Sequence, residues 1–87
     1  GTGTRESANR LKNEMINLMR GNAKKIVLDF EGINVVTSSF IDELMAKLII
    51  ELGIFQFNQR ISLRNMSNIL QQTLQKSVIQ RIIEEYQ

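Results

Sequence analysis

The 87-residue sequence contains neither cysteine nor histidine. Without cysteine there is no disulfide framework, no thiolate zinc site and no cysteine nucleophile. Without histidine the commonest general base and a common metal ligand are missing too, which leaves carboxylates, hydroxyls and amines. No apolar run approaches the roughly 20 residues of a membrane span, and no basic-then-apolar signal segment opens the chain. A cytoplasmic location is expected. Charge of one sign is absent as a block: eleven basic and nine acidic residues are scattered along the chain and leave a formal charge of +2. That balance gives no push toward nucleic acid or an anionic membrane.

What is present fits one soluble globular domain over residues 1–87, with 43% hydrophobic and 23% charged residues. A chain this short buries only roughly 60% of the surface its unfolded form exposes, so a modest stability, helped by partners or added strands, is expected. Gly1-Thr2-Gly3 opens the sequence without a methionine. Residues 1–3 are therefore expected to be the remnant of processing, or the cut end of something longer.

Apolar residues Ala8, Leu11, Met15, Leu18 and Met19 recur at three- and four-residue steps, which predicts a helix from Arg5 to Met19. Gly21-Asn22, two residues tolerant of the left-handed conformation, should end it. Ile26-Val27-Leu28-Asp29-Phe30 is short, β-branched and apolar at both parities, as a strand covered on both faces would be. After Ile33–Val36, Ser39 and Asp42 have the spacing of a capping box, and Ile41, Leu44, Met45, Leu48 and Leu52 form a helical stripe up to Gly53. Arg60-Ile61-Ser62-Leu63-Arg64 alternates as a second strand, and the alternation of Phe55 and Phe57 allows an earlier start. Those two aromatics are either core or an exposed contact. Met66, Leu70, Leu74, Val78, Ile82 and Tyr86 fall four apart on a last helix. Steps of four overshoot a turn by about 40°, so the stripe winds and a break near Gln75-Lys76-Ser77 is expected.

The order helix, strand, helix, strand, helix is an α/β pattern with right-handed crossovers. Two strands make a poor sheet. An N-terminal strand pair that is lacking or borrowed, a strand at Ile33–Val36, or an edge from a second chain would complete it.

In open α/β sheets ligands bind beyond the carboxyl ends of the strands. Asp29, the Gly32 turn and Thr37-Ser38-Ser39 lie there. The helix start presents unpaired N–H groups able to hold a phosphate or a phosphorylated hydroxyl, although Asp42 and Glu43 in the first turn oppose an anion. The same hydroxyls also serve simply as a cap. Asp29 is read as a loop support that bonds turn amides. Asp42 and Glu43 point about 100° apart and do not form an acid/base pair. No catalytic constellation, metal-ligand spacing or phosphate loop is present, so neither an enzyme nor a cofactor is expected.

Ile26-Val27-Leu28-Asp29-Phe30-Glu31-Gly32-Ile33, followed by Ser38-Ser39-Phe40-Ile41-Asp42-Glu43-Leu44, resembles the signature of the bacterial STAS-like family of small domains. That family is similar to the STAS domains of anti-sigma-factor antagonists and sulphate transporters. The resemblance implies a sheet flanked by helices, no catalytic activity, and docking on a protein partner such as a kinase-like ATPase of the anti-sigma type. In the antagonists an initial strand pair precedes the first helix, and the hydroxyl after a loop aspartate accepts phosphate. Ser38 matches that acceptor and Ser39 the hydroxyl after it. Thr37 stands where the antagonists have aspartate, and Phe40 where they have glycine.

The expected function is thus a non-enzymatic regulatory domain docking a protein through Thr37, Ser38, Ser39, Phe40, Ile41 and Asp42, with Asp29 and Gly32 supporting the loop. Alternatives are a small-ligand or nucleotide-phosphate sensor at the same helix start, and a homodimerisation module.

Overall fold

A computed structural model describes residues 4–22, 24–33 and 36–85. Helix α1 spans Arg5–Arg20; the Thr4 hydroxyl caps it by accepting from the Ser7 N–H at 3.1 Å, and Glu6 and Arg20 complement the helix dipole at its two ends. It ends at Gly21, whose N–H returns to the Asn17 carbonyl. Gly21 is not left-handed, with φ −85°. Ala8 and Met15 face the core, whereas Leu18, expected in the same stripe, is exposed.

Strand β1 (Ile26–Asp29) pairs in parallel with β2 (Ile61–Arg64), Ile26 opposite Ile61 and Asp29 opposite Arg64. The expectation of a strand covered on both faces is corrected. Ile26 is buried and Leu28 half-buried, but Val27 is 50% exposed, because helices cover only one side of this two-stranded sheet. Of the expected strand at 33–36, Asn34 and Val35 lie outside the described residues, and Ile33 and Val36 are not in a strand.

Helix α2 covers residues 38–52 in three parts: Ser38–Ile41, a π turn Asp42–Ala46, and Lys47–Leu52. In the wide turn the Lys47 N–H reaches the Asp42 carbonyl, five residues back. Glu43, Leu44, Met45 and Ala46 are all buried. Four consecutive buried positions point all round a helix, so neighbours are needed on several sides. α1 and the last helix supply them. Thr37 is the cap, its hydroxyl accepting from the Phe40 N–H at 3.1 Å. The predicted Ser39–Asp42 capping box does not form, because Asp42 is turned to arginines on other helices.

Gly53, with φ +84°, ends α2 and admits a second helix at once, α3 (Ile54–Arg60). This corrects the early strand start allowed for Phe55 and Phe57. At 100° per residue the two rings stand about 200° apart on a helix, so Phe57 is buried and Phe55 is 71% exposed. Arg60 closes the crossover by donating to the carbonyls of Met19 and Lys24.

Helix α4 (Asn68–Glu85) runs unbroken, without the expected interruption near Gln75-Lys76-Ser77. The Ser67 hydroxyl accepts from the Leu70 N–H at its start. The winding stripe leaves the core instead of breaking the helix: Leu70 is buried, Leu74 and Val78 half-buried, and Ile82 exposed. Tyr86, the last residue of that stripe, lies outside the described residues. The order is therefore helix, strand, helix, helix, strand, helix, with Met15, Ile41, Leu44, Met45, Leu48 and Leu70 at the centre of the core. No helix among the described residues is long and apolar enough to cross a membrane.

Candidate functional site

The stretch from Thr37 to Asp42 divides by exposure. Thr37 and Ser38 are exposed, Ser39 and Phe40 half-buried, and Ile41 has no exposure at all. Ile41 was expected on the docking surface and is instead a core residue. In the first turns of a helix that lies on a protein body one side must face inward, and here that side is Phe40 and Ile41.

Asp42 is the charged centre of this end of the molecule. Arg81 of α4 grips it with two bonds, Nε to Oδ1 at 2.6 Å and Nη2 to Oδ2 at 2.5 Å, and Arg5 of α1 donates to Oδ2 at 2.7 Å. Such forked contacts to a carboxylate are the stronger kind of ion pair. The hydrogen bonds from Arg81 hold the Asp42 carboxyl below its ordinary range; burial opposes this and Arg5 reinforces it. Arg81 is raised in turn, chiefly by the bond to Asp42.

The neighbouring Glu43 is buried. It meets Lys47 at 2.6 Å, Asn9 at 3.0 Å, Arg5 at 3.5 Å and Lys12 at 3.7 Å. Burial pushes its carboxyl up, but the Lys47 and Asn9 bonds and the nearby lysine charges outweigh it, and the net direction is down. The two carboxylates therefore stay ionised and bind three helices together.

A polar cleft of about 270 Å³ opens over this cluster, between the Ser38-Ser39 helix start and the Ser77–Glu84 face of α4. Arg5, Asp42 and Arg81 lie in its walls. Asp29 and Gly32 stand apart from it. The Asp29 Oδ1 accepts from the Glu31 N–H and from Asn65 Nδ2, both at 2.9 Å, and these bonds hold its carboxyl low. Gly32 takes the left-handed conformation, φ +78°. Asp29 also lines a second, apolar cavity of about 320 Å³, together with Leu28, Phe30, Ile33 and Phe40. Among the described residues no three histidine, cysteine or acidic side chains are grouped to hold a metal.

Residues 7–71 match a family described as the STAS-like domain of unknown function (DUF4325). The chain belongs to that family. The shared segment of this STAS-like domain runs from α1 into the first turn of α4 and includes Thr37–Asp42, while Arg5 and Arg81 both lie beyond it. No curated protein and no solved structure matches the chain.

Reasoning from sequence missed Arg5, Lys12 and Arg81 as part of the site. The first and last are far apart in sequence, and no local pattern joins them. One signal existed for Arg81: eleven residues after Leu70 it returns to within about 20° of the same direction, which places a cation on the inward side of an apolar stripe.

Proposed function

We propose that this STAS-like domain is a non-enzymatic regulatory module that docks a protein partner through the exposed start of α2. The observation that carries this reading is a surface of exposed hydroxyl residues on a fixed charged base. Thr37 and Ser38 are exposed, and directly behind them Asp42 is locked by Arg5 and Arg81. A rigid, polar surface with bound charges suits recognition, because little ordering cost remains at docking. The docking face comprises Thr37, Ser38 and Ser39, with Phe40 at its edge and Asp42 supporting it from below.

Ser38 is also the candidate for modification by a kinase-like ATPase. A phosphoryl group there would meet the N-terminus of α2 and the two arginines of the cleft, and would compete with Asp42 for them. The alternative of a nucleotide-phosphate sensor finds less support, since both arginines that reach the cleft already neutralise Asp42.

A photo-crosslinking residue at position 38, used in the native host and read by mass spectrometry, identifies the partner, and titration calorimetry then measures it. Ser38→Asp is expected to change the affinity at least tenfold, while Gln72→Ala, on α4, leaves it within twofold. Equal affinity for wild type and Ser38→Asp would remove this surface from the interface.

A further inference from the structure

Beside the stripe that joins α4 to the core, the helix carries a second apolar pair, Ile79 and Ile83, one turn apart and both exposed. Ile54 and Phe55, which open α3, are exposed as well. These residues gather around one feature. Ile49 of α2, Ile54 of α3, and Leu74, Val78 and Ile79 of α4 wall an open hollow of about 290 Å³, whose single polar wall residue is Gln75. No wall comes from α1 or from either strand. Strands join a sheet at its edges, beside β1 or β2, so the exposure of this helical face does not depend on which strands complete the sheet.

The face is complementary to itself. In a twofold contact every group meets the image of its own patch, so a charge near the axis is set against its like. None of the walls of the hollow is charged. Phe55 follows Ile54 at the rim, so one patch offers both an exposed aromatic ring and an apolar hollow with room for a ring. The area is also sufficient. Ile54, Phe55, Ile79 and Ile83 are between 46% and 71% exposed, and Leu74 and Val78 are half-buried beside them. Together they offer roughly 500 Å² of apolar surface per copy, more than scattered surface residues account for, and two copies reach the ~1,000 Å² that a specific interface needs.

We propose that this face of α3 and α4 is the interface of a homodimer, in which Phe55 of each copy sits in the hollow of the other about a twofold axis between ring and hollow. The occupant is a second copy of this chain. Burying the two rings and the isoleucines around them supplies the driving force, and the uncharged walls allow the patch to meet itself. The hollow lies toward the far end of α2 from Thr37–Asp42, so this reading and the docking reading can fail separately.

Light scattering across a concentration series of the full chain tests it. The wild type is expected at twice its 10.0 kDa mass when concentrated and at 10.0 kDa when dilute. Phe55→Ala empties both hollows and should weaken association at least tenfold. Ile79→Lys sets like charges across the axis and should be monomeric throughout. Ile69→Lys is the control: Ile69 is as exposed as Phe55 but stands outside the walls of the hollow, and its change should leave the affinity within twofold. A wild type that remains monomeric near 1 mM overturns the proposal. So does a dimer that Phe55→Ala leaves within twofold, or one that Ile69→Lys disrupts as strongly as Ile79→Lys, since that is unspecific apolar association. If Ile79→Lys fails to fold by circular dichroism, the more exposed Phe55 decides: its alanine variant must separate from the wild type and from Ile69→Lys, and equality with either overturns the proposal.

Discussion

At the scale of single residues, the short run Thr37-Ser38-Ser39 offers three hydroxyls, and the structure gives them different work. Thr37 caps α2, Ser38 faces outward, and Ser39 lines the cleft. Sequence spacing favoured Ser39 as the cap because Asp42 follows it by three. Only the presence of Arg81 and Arg5, brought from elsewhere in the chain, shows that Asp42 is already engaged. Thr37→Ala should therefore cost about 1 kcal/mol in urea unfolding, whereas Ser39→Ala should stay within about 0.5 kcal/mol. A larger loss for Ser39 than for Thr37 would reverse the assignment.

At the scale of elements, α1, α2 and β2 are legible from their apolar periodicity, and β1 from its short β-branched apolar run. What escaped was of two kinds. The π turn of α2 has no sequence signature, and it arises where α1 and α4 close on buried residues from several sides. Helix α3 was hidden because two aromatics spaced by two residues fit a strand face as well as opposite sides of a helix. In the last helix the drift of the apolar stripe is visible in the sequence, but the drift does not break the helix. Tertiary contact simply ends along α4 while the helix continues, held at its far half by Arg81. Leu70→Ala should accordingly cost about 2–4 kcal/mol, and Ile82→Ala no more than about 0.5 kcal/mol. Paired denaturation curves would show whether the burial gradient along α4 is real.

At the scale of the whole molecule, stability should respond to acid through the two carboxylates of α2. Both are held below their ordinary ranges in the folded chain. As pH falls the unfolded chain therefore takes up protons first. The contribution is complete above about pH 5 and is lost as pH drops through the lowered folded values. Asp42→Asn should lower stability at pH 7 by about 1–2 kcal/mol, toward the low side because Arg5 is half-exposed. The deficit should shrink below about pH 4, where wild-type Asp42 becomes neutral as well. Urea midpoints from pH 7 down to about 2.5 would reveal it, and parallel curves for the two proteins would count against the clamp. The clamp also joins the two outer helices. Arg5 stands at the beginning of α1 and Arg81 near the end of α4, yet both close on one carboxylate. The first turn of α1 and the last turns of α4 are thus tethered through α2, so fraying at either helix end would strip a cation from Asp42 and loosen the other end with it.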